Sequence, residues 1–190
     1  MKNKIILDNK NIHILDNLRK EKKIIMCHGV FDVLHYGHIA HFEEAKKNGD
    51  VLVVSLTDNK FVNKGPDRPI FDSIIRAKSL LALQSIDFVI ISKDFDCINT
   101  LKKIKPNYFV KDIEYANKNH TSNKTFEKEK KFLKKIKCKL IYTRQKKLSS
   151  SEIIKSKFKG LNDRTQSYLN FISRNFTYKH IEEKILNLKK

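Results

Sequence analysis

The stretch from Lys23 to His38, reading Lys-Ile-Ile-Met-Cys-His-Gly-Val-Phe-Asp-Val-Leu-His-Tyr-Gly-His, constrains the fold more than any other part of this chain. Its apolar start predicts a short buried strand, Gly29 breaks it, and from Tyr36 the apolar Ile39, Phe42 and Ala45 recur at helical spacing up to Asn48-Gly49. Directly beyond, Val51-Leu52-Val53-Val54 is a continuous apolar run, the pattern of a parallel strand covered on both faces. Strand, helix and strand within about thirty residues make a βαβ unit with a right-handed crossover. An α/β fold with a doubly wound parallel sheet follows.

The turn inside that unit predicts chemistry. Gly29 lets backbone approach a ligand closely, and His35, Gly37 and His38 fall at the opening of the helix. There, unpaired amides and the positive end of the helix dipole favour a phosphate. His35 and His38 are three apart, so a first helical turn carries both on one face and both reach one phosphate group.

Gly29-Val30-Phe31-Asp32-Val33-Leu34-His35-Tyr36-Gly37-His38 resembles, without a gap, the Gly-x-Phe-Asp-x-x-His-x-Gly-His hallmark of the cytidylyltransferase-like nucleotidyltransferase superfamily. The resemblance implies a Rossmann-like domain in which Gly29, Val30, Phe31, Asp32 and Gly37 shape the nucleotide site. His35 and His38 would donate hydrogen bonds to the triphosphate, with Asp32 holding the loop rather than acting as a base.

Composition narrows the class. The chain has 190 residues, 40% hydrophobic and 32% charged, enough for one core plus an appendage. No run approaches the roughly 18 apolar residues of a membrane span, and no signal-peptide core stands at the N-terminus, so a cytoplasmic protein is expected. Cys27, Cys97 and Cys138 are isolated and lack metal-site spacing; they are expected as small apolar core residues, with no protein-held metal. The net charge of +19 attracts polyanions, but its lysines are dispersed and not interleaved with aromatics, so a nucleic-acid platform is not expected.

Along the chain, residues 1–22 read as a helical lead-in with an amphipathic stretch from Ile12 to Lys22. The strand from Asp50 ends in Thr57-Asp58-Asn59, at the carboxyl edge where open α/β sheets bind ligands. Val62 to Pro69 is a loop whose Lys64 and Arg68 can lean over a phosphate. Ile70 to Leu83 predicts a helix capped by Asp72, with Phe71, Ile74, Ile75, Ala77 and Leu81 as its buried stripe and Arg76 snorkelling or paired among them. Three further strands are expected at 87–91, 107–110 and 139–142, giving five in all, with helices at 95–103 and 125–136. The charges of the latter read as a solvated face. Arg144 to Ser151, running into Glu152-Ile153-Ile154, has a serine-rich helix start that serves equally as an ordinary cap and as a second phosphate cradle. Residues 161–190 form amphipathic segments that must bury an apolar face somewhere.

Several of these segments extend the resemblance, which covers 22–160. Lys64-Gly65-Pro66-Asp67-Arg68-Pro69 is similar to a segment of the heptose 1-phosphate adenylyltransferase branch. Lys111 to Tyr115 is similar to its Lys-Gly-x-Asp-Tyr segment, although Asp112 replaces the glycine and Glu114 the aspartate. Arg144 to Ser151 resembles Arg-Thr-x-Gly-Ile-Ser-Thr-Ser, with Gln145 for threonine and Lys147 for glycine. The resemblance implies that Lys64 and Arg144 join His35 and His38 as catalytic residues. It adds Arg76, Lys111, Leu148, Ser149, Ser150 and Ser151 to the nucleotide site, and Asp58 and Arg68 to the acceptor side.

The expected function is therefore nucleotidyl transfer from ATP or CTP to a phosphorylated small molecule, with pyrophosphate released and Mg²⁺ carried by the nucleotide. A sugar phosphate with ATP comes first, and a polyol or amino-alcohol phosphate with CTP second. Outside enzymes, a non-catalytic nucleotide-binding or partner-binding module is the alternative, since fold alone does not give function. A homodimer and a fused or associated sugar-kinase domain are the expected partners, with 161–190 as linker or dimer element.

Overall fold

The computed structural model describes residues 4–63, 68–116 and 123–144, together with Ser167. The chain divides into two compact units, Met1–Leu148 and Ser149–Lys190, so the sheet-bearing unit takes in the N-terminal segment. The expected tail at 161–190 falls in the second unit and, apart from Ser167, lies outside the described residues.

Six strands form one sheet: β1 (Ile5–Leu7), β2 (Ile24–Gly29), β3 (Val51–Thr57), β4 (Phe88–Ser92), β5 (Tyr108–Asp112) and β6 (Lys139–Thr143). Their order is β1-β4-β3-β2-β5-β6 and every pairing is parallel. The expected count of five is corrected by β1. Three residues are too few to show a period, and this strand sits at the edge with β4 as its partner. The N-terminal segment is thus part of the sheet, and its helix shrinks to α1 (Ile14–Leu18).

Side-chain alternation sends the two faces of the sheet to different helices. Ile25, Cys27, Leu52, Val54 and Val89 pack with Phe42 and Ala45 of α2 (Tyr36–Lys46) and Ala77 and Leu80 of α3 (Ser73–Leu81). On the other face Met26, Val53 and Phe109 pack with Leu15 of α1, Leu101 and Ile104 of α4 (Ile98–Ile104), and Phe126 and Leu133 of α5 (Asn123–Lys135). This is the doubly wound arrangement. Strand order reverses at β2, which has β3 on one side and β5 on the other. The carboxyl ends of β2 and β5 therefore flank the switch point where such sheets take ligands.

Helix α3 turns a different face inward from the one its isoleucines suggest. Asp72 caps it as expected, accepting from the amides of Ile74 (2.7 Å) and Ile75 (3.0 Å). The buried positions, however, are Ser73, Arg76, Ala77 and Leu80, while Phe71, Ile74 and Ile75 are exposed. The guanidinium of Arg76 is held inside by Phe71, Val30, Thr57 and Asn59, and the helix is rotated to put it there.

Candidate active site

The loop leaving β2 is shaped around one aromatic ring. Phe31 (φ 47°) and Val33 (φ 48°) both adopt left-handed backbone, a costly state for a β-branched valine. The Phe31 ring lies over Gly29: a Cβ there would stand 3.0 Å from its Cζ. Glycine at this position leaves the room that the Phe31 ring occupies. The same ring meets Phe42 edge-on (4.9 Å between centroids) and His38 edge-on (5.5 Å, 84°). His38 in turn stacks on His35, with centroids 3.8 Å apart and planes 25° apart. Gly29, Phe31, His38 and His35 form one continuous pile at the opening of α2.

His35 is the N-cap of α2, with extended backbone (φ −139°, ψ 169°), and its carbonyl accepts the amides of His38 (2.9 Å) and Ile39 (3.3 Å). The amides of Tyr36 and Gly37 precede the first amide that donates within the helix, that of His38, and are of the kind that takes an anion at a helix start. Burial lowers the His35 pKa. Its Nδ1 is enclosed without a hydrogen-bond partner among the described residues. Leaving a lone pair rather than an N–H in that position favours the Nε2–H tautomer, whose proton a phosphate oxygen can take.

Two charged residues hold this loop. The Asp32 carboxylate, 8% exposed, accepts from Arg68 Nη1 (2.9 Å) and from the amides of Ile70 (2.9 Å) and Phe71 (3.2 Å). Burial alone would raise its pKa, but these donors outweigh burial and hold it below the usual carboxylate value. Arg68, expected on the acceptor side, is thereby tied back to the loop. Arg76, 2% exposed, donates from Nε to the Phe71 carbonyl (2.8 Å) and from Nη1 to the carbonyls of Val30 (2.6 Å) and Thr57 (3.0 Å). Its Nη2 donates to Asn59 Oδ1 (2.6 Å). It fastens the ends of β2 and β3 to α3, holding the backbone beneath the motif loop.

Other expected site residues divide. Asp58 lies at the end of β3, where its carboxylate caps a short turn through the Lys60 amide (3.2 Å). Arg144 is exposed directly beyond β6, at the same carboxyl edge. Lys64, Leu148, Ser149, Ser150 and Ser151 lie outside the described residues. Lys111 corrects the expectation: it is 5% exposed, with Nζ 3.6 Å from Glu129 Oε2 and over the rings of Tyr115 (4.6 Å), Phe109 (5.3 Å) and Phe126 (5.7 Å). Alternation explains this, since Lys111 follows Phe109 onto the α5 face while the paired histidines ride on α2. Glu129 corrects the reading of α5 as charged only toward solvent; it is 3% exposed. Its spacing from Phe126 and Leu133, three back and four on, is the signal that marked it as inward-facing.

His28, Cys97 and Glu129 bring donor atoms within 4.8 Å of one another. Ser55 Oγ meets His28 Nδ1 at 2.9 Å, while Cys97 Sγ donates to Glu129 Oε1 at 3.1 Å. The ammonium of Lys111 already neutralises this group. A divalent ion on Glu129 would stand about 5 Å from it, a repulsion on the order of 6 kcal/mol at an effective dielectric of about 20. Burial and the neighbouring carboxylate also raise the Cys97 pKa well above its ordinary value, so the thiol keeps its proton. The cluster fits a closed ion-pair network better than a metal centre.

Missed by the sequence are His41 and Thr143. His41, one turn beyond His38 and 8% exposed, places Nδ1 2.6 Å from Thr143 Oγ1, and Thr143 Oγ1 lies 3.4 Å from the Lys111 carbonyl. A histidine facing into the core three residues after His38 was the available signal.

Fold and site together define a nucleotidyltransferase: an open parallel sheet whose switch point carries paired imidazoles on an amide-rich helix start. A family model described as cytidylyltransferase-like matches residues 26–156, and the chain belongs to that family. The bifunctional protein HldE of Campylobacter fetus is 40% identical over 102 residues, covering 53% of this chain and 22% of that protein. HldE of Nitratiruptor is 35% identical over 116 residues, covering 60% and 24%. The chain thus spans under a quarter of the length of these relatives. Among solved structures, a lipopolysaccharide core biosynthesis protein from Thermoplasma volcanium matches with TM-score 0.53 and 29% identity over 67% of this chain and 99% of that one. A pantoate-beta-alanine ligase from Francisella tularensis, at 20% identity and TM-score 0.56 over 94% and 82%, shares the fold. No helix among the described residues is long and apolar enough to cross a membrane.

Proposed function

We propose that this chain is a cytoplasmic adenylyltransferase acting on a sugar 1-phosphate of the heptose class. A phosphate oxygen of the acceptor attacks the α-phosphorus of ATP. The bond from that phosphorus to the bridging oxygen breaks, and the electron pair leaves with pyrophosphate. The observation that carries this reading is the stacked His35–His38 pair at the opening of α2 on the sheet's ligand edge; likeness to HldE supports the acceptor.

The reaction depends on position and on neutralising growing charge, not on a nucleophilic side chain. His38 donates to the reacting α-phosphate or the departing oxygen and His35 to the same triphosphate, while the Tyr36 and Gly37 amides cradle it. Arg144 and Lys64 supply fixed positive charge, and Ser149 to Ser151 a second set of donors. Asp58 suits a sugar hydroxyl better than a phosphate. Mg²⁺ would neutralise the phosphates as part of the nucleotide complex, because Asp32, the carboxylate within the motif, is committed to Arg68 and to the amides of Ile70 and Phe71.

A second reading, CTP with a polyol or amino-alcohol phosphate, gains from the inward turn of Lys111, which removes one of two features favouring a sugar phosphate. Pyrophosphate release with ATP or CTP against heptose 1-phosphate, glycerol 3-phosphate and phosphocholine separates the two. ATP with the heptose phosphate is expected to dominate; turnover only with CTP overturns the adenylyl assignment.

A further inference from the structure

Two anion-binding features of this site come from chain segments about a hundred residues apart: the helix start carrying His35 and His38, and Arg144 at the end of β6. Nucleotidyl transfer needs both held at fixed separation, since small misplacements of charge around a phosphate cost large factors in rate. Yet among the described residues β6 is an edge strand, paired on one side with β5, and Arg144 itself is exposed. A buried hydrogen bond joins this edge to α2. His41 Nδ1 lies 2.6 Å from Thr143 Oγ1, and Thr143, with no exposed surface, is the residue immediately before Arg144. The same hydroxyl reaches the Lys111 carbonyl on β5, so α2, β6 and β5 share one polar junction directly below the ligand edge.

Neither partner serves the core in the ordinary way. A leucine or phenylalanine at 41 would extend the apolar face of Phe42 and Ala45, and a valine at 143 would bury as well as threonine does. Placing imidazole and hydroxyl there costs desolvation, offset by their mutual hydrogen bond and by the longer one from the hydroxyl to the Lys111 carbonyl. What the bond adds over apolar packing is direction, since it fixes the rotation of α2 against the end of β6.

We infer that His41 is a positioning residue for the transfer reaction, setting through Thr143 the distance between the paired histidines of α2 and Arg144. The inference rests on the nucleotidyl-transfer reading of the site, and its test keeps the two apart. His41→Ala and Thr143→Val are each expected to lower kcat about tenfold, with a smaller change in the KM for nucleotide, because geometry in the transition state suffers more than ground-state binding. The double variant should be no worse than either single one, as for two ends of one link. His41→Asn, whose amide reaches the threonine hydroxyl, should recover most of the rate; a merely structural role gives no such rescue at matched thermal stability. Additive losses, or wild-type kcat in His41→Ala, overturn the inference. Equilibrium binding of Mg-ATP and Mg-CTP to the same four proteins repeats the cycle without turnover. If the wild type released no pyrophosphate from any acceptor, the proposed reaction would fall. The link between the two anion sites would then be judged by non-additivity in binding, and additive binding or no binding would remove it too.

Discussion

Arg76 and His38 would serve the proposed site in two ways, one from behind and one from within. Arg76, 2% exposed, donates its guanidinium to three carbonyls and one amide oxygen. Arg76→Met should therefore lower unfolding free energy by about 3 kcal/mol, read from urea titration, because several buried acceptors lose their donor at once. His38→Ala is expected to reduce pyrophosphate release about a hundredfold while leaving the urea midpoint nearly unchanged, the pattern of a lost transition-state donor. His41 adds a pH dependence. Burial, then the charge of Lys111, brings its imidazole from 6.5 down to about 4. Between those values the unfolded chain takes up a proton that the folded one refuses, so stability falls as pH drops through that window and levels off below it. His28, brought to about 3 by burial and Lys111, acts in the same direction. Unfolding free energy at pH 5 should be about 2 kcal/mol below that at pH 7 from His41 alone. His41→Asn should flatten the slope, and an unchanged slope would exclude His41 as its source.

At the scale of elements, the loop between β2 and α2 transmits packing into chemistry. Gly29→Ala puts a methyl 3.0 Å from the Phe31 ring, which Phe42 and His38 confine on its other edges. The ring has to move, and the His38–His35 stack with it. Turnover is expected to fall roughly tenfold with modest loss of stability, a combination that kinetics and thermal melting on the same sample would reveal. This loop was legible in the sequence because strand, glycine and helical period each point to the same turn. The core strands were legible for a similar reason, since β3 is buried on both faces and opens with the apolar run Val51 to Val54. Three features were not. The rim strand β1 is too short to carry a period. The rotation of α3 is set by hydrogen bonds to Arg76, which hydrophobicity does not register. Lys111 and Glu129 are individually ordinary surface residues, and only the alternation of β5 together with the stripe of α5 brings them into one buried pair.

The whole molecule carries a charge of +19, far more than its ligand edge requires. Such a surface attracts any polyanion, and the attraction is screened by salt. Duplex DNA is expected to bind without sequence preference at low ionic strength and to be released by about 0.2 M salt, while pyrophosphate release persists with a severalfold higher KM for nucleotide. DNA binding that survives such salt would restore a nucleic-acid role. The order of the sheet has a further consequence during synthesis. β2 finds β3 soon after both leave the ribosome, but its other neighbour, β5, lies some eighty residues downstream of it. At about 5–20 residues per second, one flank of the motif strand stays without its partner for roughly 4–16 seconds. Throughout that interval the nascent chain presents a half-built apolar ribbon, and chaperones that shield such ribbons are expected to govern how much enzyme a cell obtains.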